Sequence, residues 1–474
     1  MSVREHELSV DSLGRVGTAR RQAADGSVIP VGGSPAAPSN GFVAWLVLIG
    51  IAMPSSMTIF LAGIKFIPAR IVICLLLIPA FFELFRRGRR LGATDFFVCA
   101  VSVWMLAAIS QSADQSWSST VALVLEFCGG YIVARAYFFG RPALQTFVRV
   151  FKVIVVAIVV LAAIDHLTQQ IVTINTIGAL WGLPNEHPEY RYGMLRAFST
   201  FPHPILYGTF CVIAGAIFLY SERTFLYGGL CFLGCLMAMS SGPLMSFMIV
   251  IAIYCYDCAM QRYPWRWQAL MASLAAFLVA VFVVANKPIS WMIANLTLDP
   301  ATGYFRVATW DNAFQYIGLS PLFGYGFAAY AAEDDFFGRA SVDSVWLVLA
   351  LRFGVPLVIF VILASITSFC WSGGGVSVRR NDTYMNNMRT GFTLVVVMFM
   401  FIGITVHYWN NVWIFWGICI GIRASLQEEY FRSQRSLVPD RRSKAHALRF
   451  GQAARRVSPQ AAGHQVQRSD RYSP

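Results

Sequence analysis

The apolar residues of this chain fall in long continuous runs, separated by shorter polar stretches, with no strand-like alternation inside the runs. Runs near 20 residues with almost no charge have the length of helices that cross roughly 30 Å of hydrocarbon. Only helices or closed barrels satisfy every backbone group in lipid, and continuous runs favour helices. The pattern predicts twelve spans, at about 42–63, 66–85, 95–111, 117–137, 148–166, 203–220, 224–240, 242–260, 268–286, 342–370, 391–407 and 409–426. The expected fold is therefore all-α and polytopic. A disordered polar tail is expected over 1–41, a membrane domain over 42–426 and a basic tail over 427–474. The first apolar run begins too late for the N-terminal segment to read as a signal peptide.

Composition agrees: 57% of residues are apolar and 13% charged, against about 25% charged in soluble proteins. The ten cysteines lie in or at the ends of the apolar runs, which is no disulfide framework. Cys255 and Cys258 form a lone CxxC that reads as packing. A net charge of +13 raises the question of nucleic acid, but its distribution is a membrane-topology signal. With both termini cytoplasmic, 29 of the 37 Lys and Arg fall on the inner side. That orientation puts two long loops, roughly 167–202 and 287–341, on the outer face. Long loops commonly carry function.

Both loops are rich in aromatics and hold arginines against the charge bias. Arg191 and Arg196 lie in EHPEYRYGMLRAFSTFPHP, and Arg306 lies in GYFRVATWDNAFQ. The second segment suits a short amphipathic helix, with Phe305, Ala308, Trp310 and Ala313 apolar and Arg306 on another side. An outer arginine has a plain reading, pairing with lipid headgroups or with Glu186 or Glu189. It also has a sharper one, because the planar fork binds phosphate bidentately and aromatic rings can stack on sugars. His203 reads either as a polar helix-start residue or as a substrate contact. Arg352, inside an apolar run, is costly enough to suggest function, though it could also snorkel from a helix end or pair internally. Glu126 and Asp165 lie in or near spans and would suit a transporter, but no internal repeat is evident.

Three motifs, in order, resemble the O-antigen ligase and Wzy-type polymerase superfamily. They are Arg196-x-Phe198-x-x-x-Pro202-His203-Pro204, then Arg306-x-x-x-Trp310 followed by SPLFGYGF, then SVDSVWLVLALRFGVPLVIF. Together they cover about 190–365. Ligases of the superfamily usually carry histidine where this chain has Asp343, which is similar to polymerase-type members, and the family's glutamate in the following helix is replaced by Arg352. The resemblance implies a GT-C-like membrane glycosyltransferase of the bacterial inner membrane. It would polymerise undecaprenyl-diphosphate-linked oligosaccharide repeats on the periplasmic face, without metal or other cofactor. Asp343, Arg306 and Arg196 are the implied catalytic residues, with Asp334 and Asp335 as rival bases. His203, Trp310, Arg191 and Arg352 are the implied substrate contacts. Membrane lipid, and export proteins of the same pathway, are the other expected partners; nucleic acid is not one. The alternatives are a ligase that moves finished glycan to another acceptor, and a transporter or flippase.

Overall fold

The computed structural model describes residues 41–61, 64–86, 89–112, 115–284, 300–327, 342–370 and 382–437. The N-terminal tail to residue 40, Asp334, Asp335 and most of the C-terminal tail lie outside the described residues.

The architecture is helical, with two small hairpins. In chain order the elements are α1 (Gly41–Ala52), the hairpin β1 (Ile59–Leu61) and β2 (Ile64–Phe66), α2 (Pro68–Arg86) and α3 (Ala93–Gln111). Next come α4 (Trp117–Val124) and α5 (Gly130–Tyr137), joined without interruption by a π-helical turn at Leu125–Gly129, then α6 (Arg141–Thr168) and α7 (Val172–Ala179). The hairpin β3 (Tyr190–Arg191) and β4 (Met194–Leu195) precedes α8 (Pro204–Glu222), α9 (Phe225–Met237), α10 (Ser241–Ala259) and α11 (Arg266–Val284). The rest are α12 (Pro300–Leu319), α13 (Val345–Phe353), α14 (Val355–Cys370), α15 (Thr383–Ile402) and α16 (Asn411–Leu437).

Among the described residues eight helical stretches are long and apolar enough to cross a membrane. Three more, α1, α9 and α14, are apolar but shorter. The chain is thus a multi-pass membrane protein. α8 is its most enclosed helix, with every residue from Leu206 to Tyr220 buried, and it packs against α9, α10 and α15. α11 is the opposite case: only Val281 is buried, and its apolar side chains face outward, as suits lipid.

Several expected boundaries change. α1 stops at Ala52, far short of 63, because Pro54 lacks an amide proton and disfavours helix at the residue before it. The chain then turns into β1–β2, with Ile59 opposite Phe66. The loop expected over 287–341 holds a helix of 20 residues, α12. α16 runs on to Leu437, past the expected end at 426.

The expected span 342–370 is two helices, broken at Gly354. α13, at 9 residues, is too short to cross a bilayer. The break has a specific cause. Gly354 has φ +82°, and a Cβ there would sit 1.8 Å from the Leu322 carbonyl oxygen. Gly324, at φ +67°, would put one 2.4 Å from the Leu351 carbonyl oxygen. The SPLFGYGF segment therefore lies directly on the backbone of Arg352–Val355. Tyr325 N–H donates to Leu351 O at 2.7 Å, Gly326 N–H to Arg352 O at 2.9 Å, and Val355 N–H to Pro321 O at 2.8 Å. Only glycine allows backbones this close. The contact ties the end of α12 to the end of α13, and so sets Arg306 relative to Asp343.

Candidate functional site

The segment before α8 is held by backbone bonds at both ends. Arg196 N–H donates to Glu189 O at 2.9 Å and Ala197 N–H to Met237 O at 2.9 Å. The Arg191 and Arg196 side chains donate to Met239 O (2.9 Å) and Ala238 O (3.4 Å), just past the end of α9. The carbonyls at a helix C-terminus carry partial negative charge, which suits two guanidinium groups. Arg196 also pairs with Glu189 at 2.5 Å, so the plain carboxylate partner read from the sequence is present. Burial lowers the Arg196 pKa, with Arg191 adding to the effect and Glu189 opposing it.

His203 is the N-cap of α8, with Pro204 in the first turn, where its missing N–H is no loss. The His203 Nδ1 accepts from Ile205 N–H at 3.2 Å. In the neutral ring Nδ1 is then bare and Nε2 carries the hydrogen, 3.4 Å from a Glu189 carboxylate oxygen. Glu189 therefore bridges Arg196 and His203. Burial lowers the His203 pKa, partly offset by Glu189 and Asp343, while Arg196 adds to the lowering. The imidazole ring faces Trp409 at 6.3 Å between centroids, and Trp409 faces His407 at 5.5 Å.

Arg306 departs from the sequence reading. It does not lie on a side away from the apolar residues. Arg306, Ala313 and Ile317 are all buried, and their spacing of seven and four puts them on one helical face. Arg306 is only 6% exposed. Its Nε and Nη1 have no hydrogen-bond partner among the described residues. A buried charge left in this state is costly. The crevice beside it is lined by Phe305, Trp310, Asp343, Ser344 and Thr405 and is small, about 10 Å³, at the lower limit for one water. A phosphate could enter only as side chains part. Burial lowers the Arg306 pKa, Asp343 opposes that, and Arg191 adds to it. The loop arginines, Arg306 and Asp343 are thus within electrostatic reach of one another.

Asp343 is not the cap of α13. Ser344 holds that position, and its hydroxyl donates to Gly403 O at 3.1 Å. Asp343 lies one residue earlier, half-buried on the crevice wall. Trp310 reaches the same crevice. Arg352 sits apart, its guanidinium over the Phe327 ring at 4.7 Å. Burial, and then the positive charge of Arg352, hold the His407 imidazole well below its ordinary pKa.

The structure thus gathers Arg191, Arg196, His203, Arg306, Trp310 and Asp343, and leaves Arg352 to the side. His407 and Trp409, in HYWNN between two apolar runs, went unremarked in the sequence but join this region, and Thr405 just before them lines the crevice. A histidine and a tryptophan between two apolar runs on the predicted outer side were the available signal. Glu126 and Asp165 have structural partners: Glu126 pairs with Arg70 at 2.7 Å, and Asp165 accepts from the Val172 and Thr173 N–H groups at the start of α7. Among the described residues no three His, Cys, Asp or Glu side chains gather as a metal-holding group.

No curated protein matches the chain. A family described as O-Antigen ligase, Wzy_C, matches residues 226–362. The matched segment runs from α9 into α14 and includes Arg306, Trp310, Asp343 and Arg352, while Arg191, Arg196 and His203 precede it. The second and third sequence motifs fall inside this match, and over residues 226–362 the chain is similar to the O-antigen ligase family.

Proposed function

We propose that this protein is a polysaccharide polymerase that joins undecaprenyl-diphosphate-linked repeat units on the periplasmic face of the inner membrane. In this reading the fold is GT-C-like, with twelve spans and both termini cytoplasmic. The observation that carries it is Arg306: a buried guanidinium, two of whose nitrogens have no hydrogen-bond partner among the described residues, beside a carboxylate and inside the matched segment. Such a group is stabilised by an anion, and a diphosphate presents one. Its fork can take two phosphate oxygens at once.

The reaction follows from these placements. An acceptor sugar hydroxyl attacks the anomeric carbon of the sugar on a lipid diphosphate. The bond from that carbon to the diphosphate oxygen breaks, and its electron pair leaves with the diphosphate. Arg306 stabilises the charge that builds there, the term that commonly dominates such barriers. Arg196, with Arg191 behind it, supports the second phosphate once Glu189 gives way. Asp343 takes the hydroxyl proton. Trp310 and His203 flank the sugars. We write the reaction without a metal.

The Wzy_C description favours one second reading, a ligase that moves finished glycan to another acceptor. A transporter fits less well, because Glu126 and Asp165 are engaged in local structure. Deleting the encoding gene and analysing lipid-linked intermediates separates polymerase from ligase, and the side of the membrane on which single units accumulate separates both from a flippase. Single repeat units accumulating without polymer is the expected result. Polymer retained on its lipid carrier would mean a ligase, and unchanged glycan would overturn both.

A further inference from the structure

A second cavity, of about 300 Å³, lies at the end of the bundle where α3 begins, between α3, α5, α14 and α16. The charge bias puts this end in the cytoplasm, and the reading above makes no use of it. Its walls carry a slight excess of positive charge. The Glu428 carboxylate receives Arg89 at 2.8 Å, Arg135 at 2.8 Å and Arg432 at 2.8 Å, and also the Arg90 N–H at 3.0 Å. Three guanidinium groups thus converge on one carboxylate. Asp95 receives Arg135 at 3.1 Å and the Tyr131 hydroxyl at 2.6 Å, and closes the first turn of α3 through Gly92 N–H at 2.7 Å. With Arg90 also on the wall, three lining arginines face two carboxylates, and the balance is positive by one. The first residues of α3, Ala93 and Thr94, line the cavity too, at the positive end of the helix dipole. Burial and then the like charge of Arg135 push Arg89 down to about 10, and the Glu428 carboxylate opposes the shift.

Gln427 gives an independent observation. It lines the cavity and is 9% exposed, and its Oε1 is buried with no hydrogen-bond partner among the described residues. A buried acceptor beside a cationic wall suits a ligand that is both an anion and a hydrogen-bond donor. Leu91, Ala424 and Phe431 add an apolar wall.

We propose that this cavity binds the headgroup of an anionic, hydroxyl-bearing phospholipid of the phosphatidylglycerol type. The phosphodiester faces Arg90, Arg432 and the α3 N-terminus. A headgroup hydroxyl donates to Gln427 Oε1, and the glycerol ester region lies against Leu91 and Phe431. Basic pockets between helices at the cytoplasmic membrane surface are where such headgroups bind.

The test is native mass spectrometry of the purified full chain in detergent, titrated with phosphatidylglycerol, phosphatidylcholine or soluble glycerol 3-phosphate. Phosphatidylglycerol should be retained about tenfold more tightly than phosphatidylcholine. Arg90→Gln and Gln427→Leu should each weaken it by about tenfold without lowering the melting temperature, whereas Arg306→Ala should leave it unchanged. Equal retention of the two lipids would overturn the proposal, as would undiminished phosphatidylglycerol binding in both cavity variants. Glycerol 3-phosphate binding as tightly as the lipid would mean a soluble phosphate site and would overturn the lipid assignment.

Discussion

Arg135 and Arg306 are buried to nearly the same degree, at 2% and 6% exposure, yet their surroundings are opposite. Arg135 has a partner on each nitrogen: Asp95 for Nε, Glu428 for Nη1, and Asp95 with the Arg90 carbonyl for Nη2. It joins α5 to α3 and α16. Arg306 leaves Nε and Nη1 without hydrogen-bond partners among the described residues. Burial alone therefore does not separate a structural arginine from a functional one. The accounting of its donors does, because an unpaired buried charge costs stability and is kept only where something else makes use of it.

The largest expected effect tests the first half of that contrast. Arg135→Ala takes the guanidinium from Asp95 and breaks the tie between α3, α5 and α16, while Glu428 keeps Arg89 and Arg432. It should cost about 3–5 kcal/mol and strip the protein from the membrane fraction. Arg306→Leu, in the same melting assay, should hold or raise the midpoint, because the leucine removes two buried donors that have no hydrogen-bond partner among the described residues. A clear drop in the Arg306 midpoint would mean that this guanidinium has structural partners after all, and the contrast would fail.

Activity reverses the order. Arg306→Ala, at normal protein levels, should lower polymer formation by about 10²–10³, the usual cost of removing a preorganised donor from a developing anion. Lysine should rescue poorly, because an ammonium is a point charge and cannot form the fork. Asp343→Asn should lose about 10² in rate with the fold intact. Since Ser344, not Asp343, is the residue at the α13 cap, a stability loss in this variant would point away from the proton-acceptor role. Wild-type polymer from the Asn variant would move the base elsewhere.

Much of this was legible in the sequence, for reasons that can be named. Uncharged runs of sufficient length announce helices, so α6, α8 and α10 were found close to where they lie. Arg196 and Arg306 stood out because they break the charge bias. The rest depended on contacts between distant segments. Nothing local in LRFGV announces that the Leu322 carbonyl rests where a Gly354 Cβ would be, so α13 and α14 read as one span. Arg306 read as lying away from the apolar positions because a helical wheel puts arginine outside by default, whereas here the face that carries it also carries Ala313 and Ile317. Glu189 was legible only as one of two candidate partners, since its bridge to both Arg196 and His203 needs the β3–β4 turn.

That bridge gives a smaller effect. Glu189 occupies Arg196 at 2.5 Å, where the proposed diphosphate would otherwise compete. Glu189→Gln should free the guanidinium and lower the KM for the lipid-linked substrate by about tenfold, while Arg196→Ala should raise it. Parallel rises in both variants would show that Glu189 positions Arg196 and does not compete for it.

The smallest expected effect concerns His203, which has two roles to separate. As the α8 N-cap it accepts from Ile205 N–H, and through Nε2 it faces Glu189. His203→Ala should cost about 1 kcal/mol from the lost cap. Asn caps as well, so His203→Asn should keep the melting temperature at pH 7.5 and lose only the ring's contact, a few-fold in activity. The pH dependence adds an independent readout. Burial lowers the His203 pKa below its ordinary 6.5. At high pH the ring is neutral in both the folded and the unfolded chain and contributes no difference. As pH falls through 6.5 the unfolded chain takes up the proton first, so the folded state loses stability until the folded pKa is passed. The wild-type melting temperature should therefore fall more steeply below pH 6.5 than that of His203→Asn. His407 contributes the same sign in both proteins, since its pKa is also depressed, and so cancels in the comparison. Identical slopes would mean that His203 titrates as it does in the unfolded chain, and that its ring is open to water and not enclosed beside Trp409.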